Sequence, residues 1–192
     1  MANEDHLSAV RKGADAWNKW RESNPKVQPD LSVADLSGAN LSWVDLSAAD
    51  MAWASLSDAN LSDARLAEAN LSRANFNRAN LRRSKFIKAN LNGAFFHEAD
   101  VEGADFGEAD LSEAQLFDAS FRLVNLRRAT MKSTDFGGAD LRGANLTEAN
   151  LLEAQRLSLD QILAVKTLYG AILEEEFKVL VMNKNPELFQ RP

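Results

Sequence analysis

An apolar residue occupies every fifth position of the chain from Leu31 to Leu151 without a break. Ala stands two positions before it in nearly every unit, so one large and one small apolar side chain alternate. A period of five matches neither the 3.6-residue period of a helix nor the two-residue period of a strand. The pattern therefore predicts a repeat solenoid, whose coils bury their apolar side chains against one another.

A polar residue separates the alanine from the large apolar residue, and in most units it is Asp or Asn. Short polar side chains of this kind accept hydrogen bonds from nearby backbone in tight turns. We therefore expect a turn in each five-residue unit, stabilised by its own Asp or Asn.

Three stretches show the unit clearly: residues 39–42 (Ala-Asn-Leu-Ser), 109–112 (Ala-Asp-Leu-Ser) and 139–143 (Ala-Asp-Leu-Arg-Gly). They resemble the A(D/N)LXX unit of the pentapeptide repeat family, and the resemblance covers about two thirds of the chain. In that family four pentapeptides form one turn of a right-handed quadrilateral parallel β-helix, with the large residue and the preceding small residue pointing inward. The resemblance thus implies an all-β solenoid.

Helical spacing precedes the repeats, because apolar residues mark one face of residues 3–22, namely Leu7, Val10, Ala14, Trp17 and Trp20. Pro25 and Pro29 then break the helix and lead into the first repeat. The first coil of a solenoid exposes core side chains and unpaired backbone, so we expect this helix to cap that end. The predicted N-terminal segment is residues 1–29.

The five-residue register ends at Arg156, and residues 158–161 have the form of a capping box ahead of an apolar pattern. A helix is expected to start there and to stop near Gly170. A second helix is predicted over residues 174–182, with Phe177, Leu180 and Val181 on one side, before an irregular anchored tail. The repeats are thus assigned to residues 30–155 and a helical C-terminal cap or tail to residues 156–192.

Composition narrows the functional classes, because the chain has no cysteine and a formal net charge of −6 over 192 residues. Disulfides and thiolate metal sites are therefore excluded. The polar, acidic start of the chain predicts neither a signal peptide nor a membrane segment, so we expect a cytoplasmic protein. The negative charge argues against direct nucleic-acid binding, which basic patches drive.

Residues able to perform chemistry are scarce. His6 and His97 are the two histidines, and neither has a second nitrogen or thiolate ligand at a useful spacing. The many Asp residues recur at one repeat position and lack the glycine-rich pattern of calcium-binding β-rolls. No phosphate-binding glycine motif or nucleophile elbow occurs. The sequence predicts no enzyme activity, no metal and no cofactor.

If four units form a coil, residues twenty apart stack on neighbouring coils, about 4.8 Å apart. Opposite charges then alternate along two surface columns, which read Glu68, Lys88, Glu108, Arg128, Glu148 and Arg82, Glu102, Arg122. Arg65 stacks next to Lys85 without an intervening acid, so these two basic residues look unpaired. They form a candidate anion contact, and the alternative is a solvated charge ladder.

The same stacking rule arranges the inward aromatic residues. Phe76 and Phe96 fall in one column, and Phe86 and Phe106 fall in the opposite one. We expect two short stacks that set the stability of the middle coils.

Outward aromatic residues are rarer. Phe95 and Phe117 lie on one face, one coil apart, with His97 near them, so they form a candidate contact for a protein partner or a second copy. The alternatives are an ordinary surface or a contact with the C-terminal helices. Trp43 and Trp53 also take outward positions, where burial under a terminal segment explains them as well as ligand binding does.

Two functions stay open. The resemblance implies a rigid, non-enzymatic scaffold that presents a flat surface to a protein partner of unknown identity. The alternative is a DNA mimic that binds and protects a type II topoisomerase (gyrase), which needs a long negative face and ideally a homodimer joined through the C-terminal helices. Arg and Lys interrupt the acids of this chain, so the scaffold is the leading hypothesis. Under the alternative, the mimicking surface would comprise Asp100, Asp105, Asp110, Asp135 and Asp140.

Overall fold

Parallel pairing between residues twenty apart organises the chain in the computed structural model, which describes residues 2–191. The pairs run without interruption from Asp30 with Asp50 to Asp135 with Gln155. Within the described residues the sheet consists of single-residue bridges, with no longer strand. Four five-residue units therefore make one coil, and residues 30–155 form about six coils.

Each unit is held by hydrogen bonds along and between coils. In the first unit the Leu31 N–H donates to the Asp50 carbonyl at 2.7 Å, and the Ala34 N–H closes a turn on the Leu31 carbonyl at 3.1 Å. The Asp30 carboxylate accepts the Ser32 N–H at 3.0 Å, and the Asp or Asn of most later units repeats this bond. The predicted stabilisation of the turn by its own polar residue is confirmed in most units.

The third residue of each turn has a left-handed backbone whether or not it is glycine. Val33, for example, has φ 61°, and Arg83 has φ 58°. Such a conformation costs a non-glycine residue roughly 1–2 kcal/mol. Hydrogen bonds to the neighbouring coil fix the turn residue in place, as with the Val33 N–H, which donates to the Ala52 carbonyl at 2.8 Å.

The interior is a continuous column of apolar side chains. The predicted aromatic stacks are present, because the rings of Phe76 and Phe96 lie 5.1 Å apart and those of Phe86 and Phe106 lie 4.6 Å apart. The two stacks also meet each other edge to face, with Phe96 6.2 Å from Phe106. Phe121 contacts Phe96 and Phe106, so one aromatic cluster fills the middle coils.

Two helices precede the repeats where the sequence predicted one: α1 (Glu4–Arg11) and α2 (Ala14–Ser23). The single-helix prediction is wrong because Gly13 has φ 95°, which breaks the chain direction between the helices. The predicted apolar face is nevertheless kept, since Leu7, Val10 and Trp17 are buried.

Polar side chains of α1 and α2 contact the backbone edge of the first coil. The Trp17 indole N–H donates to the Asp45 carbonyl at 2.7 Å. The Asn18 amide donates to the Trp43 carbonyl at 3.1 Å and accepts the Asp45 N–H at 2.8 Å. Arg21 donates to the Ser47 carbonyl at 3.1 Å. The edge that has no preceding coil is thus hydrogen-bonded by helix side chains.

The predicted capping box is present at α3 (Leu159–Leu163), where Ser158 and Gln161 bond each other's backbone N–H. The helix is short, however, and the repeat pattern resumes after it. Thr167 pairs with Asn145, and Ile172 pairs with Asn150, at a separation of 22 residues in place of 20. The insertion of α3 therefore shifts the register without ending the solenoid.

Gly170 was predicted to stop a helix, and this prediction is wrong. The residue is the third turn residue of a resumed unit, with φ 67°. A Cβ atom at this position would lie 3.1 Å from the Glu148 Cγ of the coil below, so the close approach also favours glycine.

The chain ends with α4 (Glu175–Lys184) and a 3₁₀ helix (Pro186–Phe189). Val181 is buried, but Leu180 is exposed, so the predicted shared face of these two residues is wrong. The predicted anchoring of the tail is confirmed by Leu188, which is buried and accepts the Leu168 N–H at 2.7 Å. No helix within residues 2–191 has the length and apolar character needed to span a membrane.

Candidate protein-interaction surface

Phe95, His97 and Phe117 come together on one side of the solenoid, as the twenty-residue rule predicts. The rings of His97 and Phe117 lie 6.1 Å apart. With Asn77 and Gln115, the three residues line a shallow depression of about 320 Å³. We call these five residues the aromatic surface.

A substitution within the repeat produces this surface. Phe95 stands at the position that Asp or Asn usually holds, so it cannot accept the N–H two residues further on. The side chain of Asn77, one coil earlier, accepts the His97 N–H instead, at 2.9 Å. The backbone stays satisfied while an aromatic ring replaces a polar side chain on the outside.

The C-terminal segment reaches the aromatic surface through Arg156, which lies ahead of α3. Its guanidinium carbon is 4.2 Å from the Phe117 ring centre, and its Nε donates to Asp135 at 2.7 Å. Gly137 makes room, since a Cβ there would lie 3.3 Å from both Phe117 and Arg156. Sequence reasoning missed Arg156 because it lies outside the repeats, although the glycine in the Phe117 column was a signal.

Arg65 and Lys85 do not form an unpaired basic pair, so that prediction is wrong. Arg65 bonds Asp45 at 2.5 Å, and Lys85 lies 3.9 Å from Asp105. The column reads Asp45, Arg65, Lys85, Asp105, so each base has an acid on one neighbouring coil and pairs with it. This column stands two units along the coil from Phe95, on the opposite side of the solenoid. The candidate site residues thus divide between two faces.

The predicted charge ladders are present in part, with ion pairs between three neighbouring couples of their members. Arg128 bonds Glu148 at 2.5 Å, Lys88 lies 4.0 Å from Glu108, and Arg82 bonds Glu102 at 3.0 Å. These partners are all partly exposed, so each pair contributes little to stability, and their main effect is to neutralise the acids locally.

Trp43 and Trp53 are 68% and 57% exposed, so of the two alternatives for them, burial under a terminal segment is wrong. Asn18 of α2 bonds the backbone carbonyl of Trp43, which leaves the ring uncovered. The guanidinium of Arg73 lies 4.8 Å from the Trp53 ring centre. The N-terminal helices therefore contact the backbone edge of the first coil and leave these two outward side chains in solvent.

Stability is expected to fall in acid. Arg78 donates to Asp58 and Arg83 donates to Asp63, which lowers the pKa of each carboxyl in the folded state below 3.8. The Ser32 N–H does the same for the pKa of Asp30. A carboxyl whose pKa is lower in the folded state stabilises the fold at any pH above its unfolded-state pKa. This stabilisation is lost as the pH falls through the folded-state pKa.

The melting temperature, followed by circular dichroism, should stay nearly constant from pH 7 to about pH 5 and drop below about pH 4. The Arg83→Gln variant should show a smaller drop. An acid-independent melting temperature would contradict this account.

No group of three or more His, Cys, Asp or Glu side chains within residues 2–191 is placed to hold a metal ion.

A known sequence family matches the repeats of this chain. The family model for pentapeptide repeats matches eight copies over residues 30–63, 59–97, 96–132 and 125–155. The chain belongs to the pentapeptide repeat family.

Solved structures similar to this pentapeptide repeat protein include a trypsin-treated variant of QnrB1, a plasmid-mediated fluoroquinolone resistance protein. It is 21% identical, with 83% of this chain and 85% of that chain covered and a TM-score of 0.43. HetL from the cyanobacterium Nostoc sp. strain PCC 7120, involved in regulation of heterocyst differentiation, is 23% identical, with coverage of 81% and 89% and a TM-score of 0.26. No curated protein sequence matches the chain.

Proposed function

We propose that this pentapeptide repeat protein is a non-enzymatic scaffold that presents a rigid surface to a protein partner. In this proposal the solenoid is a right-handed quadrilateral parallel β-helix with helical caps at both ends. Four units per coil support the quadrilateral form, and the bonds from Trp17 and Asn18 to the first coil support the N-terminal cap. The aromatic surface is the single observation that carries the proposal, since two aromatic rings replace polar side chains there.

The scaffold is tested by affinity capture from cells of the source organism. The repeat supplies a matched variant, Phe95→Gln, because Gln115 stands at the same position one coil later. The wild-type chain should retain a protein partner that Phe95→Gln loses. Leu123→Gln, which removes an exposed apolar side chain from another face, should retain it. Equal capture by wild type and Phe95→Gln would refute a role of this surface.

A homodimer through the C-terminal helices is part of the proposal. Its support is a group of exposed apolar side chains at that end, comprising Ile172, Val179, Leu180 and Met182. Light scattering should give a dimer mass for the wild-type chain and a monomer mass for Leu180→Glu. A wild-type monomer at high concentration would exclude the dimer.

We also propose a cytoplasmic location and no direct binding of nucleic acid. The absence of cysteine supports the location, since disulfides are rare in that compartment. The net charge of −6 supports the second proposal.

The distribution of acids argues against gyrase mimicry. Asp100 and Asp140 share a column, whereas Asp105, Asp110 and Asp135 each lie in a different one, so these acids occupy all four sides of the coil. Asp100, Asp105, Asp135 and Asp140 also each have a basic partner.

The purified chain at micromolar concentration should therefore neither inhibit DNA supercoiling by gyrase nor protect it against fluoroquinolones. Such charges leave little net field beyond a Debye length of about 8 Å. A supercoiling assay measures both effects. Inhibition or protection would favour the DNA mimic over the scaffold.

A further inference from the structure

We propose that the aromatic surface binds a basic segment of its partner, in which one apolar anchor side chain is flanked by Lys or Arg. This inference rests on the proposed scaffold function and names the chemistry of its partner. The shape and lining of the depression favour the anchor, and acids around it without a Lys or Arg ion pair favour the flanking bases.

The depression fits a single anchor side chain. Its walls are the rings of Phe95, His97 and Phe117, and its volume is about 320 Å³. Hydrogen bonds to neighbouring coils fix the backbone beneath it, as with the Phe95 N–H, which donates to the Ala74 carbonyl at 3.0 Å. A preformed apolar depression on a rigid backbone gains affinity without an ordering cost on its own side.

The rim of the depression is acidic. Glu98 is adjacent to His97 in sequence, and its carboxylate lies 3.4 Å from the His97 Nε2. Glu113 and Asp118 stand at the two corners that bound this face in the next coil, and both are exposed. Within residues 2–191 neither Glu113 nor Asp118 forms an ion pair with a base.

The bases near this face contact other groups, and Arg73, in the same corner column as Glu113, lies 4.8 Å from the Trp53 ring centre. Arg78 makes two hydrogen bonds to Asp58, at 2.8 Å each, and Arg156 is bonded to Asp135. Neither base therefore forms an ion pair with Glu98, Glu113 or Asp118, although Arg78 also attracts Glu98 electrostatically from the neighbouring coil. On the opposite side, by contrast, the acids Asp45, Asp105 and Glu108 each have a basic partner, namely Arg65, Lys85 and Lys88.

The geometry at Asp118 keeps its carboxylate available. The side chain lies against Gly138 of the next coil, where a Cβ would come within 2.0 Å of the Asp118 Oδ1. Gly138 itself has no side chain that would cover the carboxylate. An apolar centre with an acidic rim that forms no ion pairs to Lys or Arg complements an apolar anchor with basic flanks, and charge complementarity of this kind gives specificity.

The experiment uses the full chain and three fluorescein-labelled synthetic peptides. The first carries a central Trp between Lys pairs, the second replaces Lys by Glu, and the third replaces Trp by Ala. Fluorescence anisotropy should show binding of the first peptide alone, weakening as salt is raised. Amide shifts in a ¹H–¹⁵N spectrum should cluster around Phe95, His97 and Phe117.

Variants separate the two contributions. Phe95→Gln should weaken binding of the Lys–Trp peptide, and the triple variant Glu98→Gln, Glu113→Gln, Asp118→Asn should weaken it about tenfold. Glu68→Gln, a matched neutralisation on another face, should leave it unchanged. Unaltered binding by the triple variant, equal binding of the Glu peptide, shifts centred elsewhere, or no binding of any peptide would overturn the inference.

The two proposals fail in distinguishable ways. If affinity capture depends on Phe95 but is unaffected by the triple variant, the scaffold proposal is supported and the proposal of a basic segment is wrong. A captured partner that is a second copy of this chain would likewise overturn the basic segment.

Discussion

Phe96→Asp is expected to unfold the middle coils of the solenoid. Phe96 is fully buried, stacks on Phe76 at 5.1 Å and meets Phe106 and Phe121 edge to face. Loss of a buried Phe ring alone costs roughly 3–5 kcal/mol. A buried carboxylate without a partner adds a further penalty, so the total approaches the whole stability of a typical domain, about 5–15 kcal/mol.

The variant should show a lower melting temperature and fast amide exchange in the coils around residues 76–121. Phe96→Leu is the matched control, because Leu holds the inward position of most units, and it should cost about 1–2 kcal/mol. The terminal coils should exchange last, since each coil of a solenoid contacts only its neighbours. An unchanged melting temperature for Phe96→Asp would show that the ring does not lie in the core.

The repeat geometry was predictable because one rule places every residue. The period of five fixes the inward positions, and the coil of four units, which the family resemblance implies, then places Phe76 above Phe96 and Phe95 beside Phe117. Sequence reasoning could not foresee the resumed repeats at Thr167 and Ile172. Their register is shifted by two residues, and Lys166 stands where the repeat has Ala. A pattern search at a fixed period does not detect a unit displaced by an inserted helix.

The site was predictable only in part, because one of its contacts comes from outside the repeats. The aromatic surface follows from repeat arithmetic, but Arg156 reaches Phe117 from outside the repeats. Arg65 and Lys85 were misjudged because only their mutual contact was considered. Each lies between a base on one side and an acid on the other, and a flexible side chain turns to the acid.

Deleting residues 1–24 is expected to expose the first coil and cause aggregation. The deletion removes the indole and amide groups that bond the Asp45 carbonyl and N–H. It also removes Leu7, Val10 and Trp17, which are buried in one apolar cluster with Leu31. An unpaired sheet edge beside exposed apolar side chains is a template for pairing with another chain. Size-exclusion chromatography and thermal melting of the truncated chain measure the two effects.

Point variants of α2 test whether its contacts cause this stabilisation. Trp17→Ala should destabilise the full chain by roughly 3–5 kcal/mol, because Trp17 is fully buried and its N–H bonds the first coil. Lys19→Ala, an exposed change two residues further along α2, should have little effect. If the truncated chain stays monomeric with an unchanged melting temperature, α1 and α2 do not cap the solenoid, and the first coil must be stable with its edge open to water.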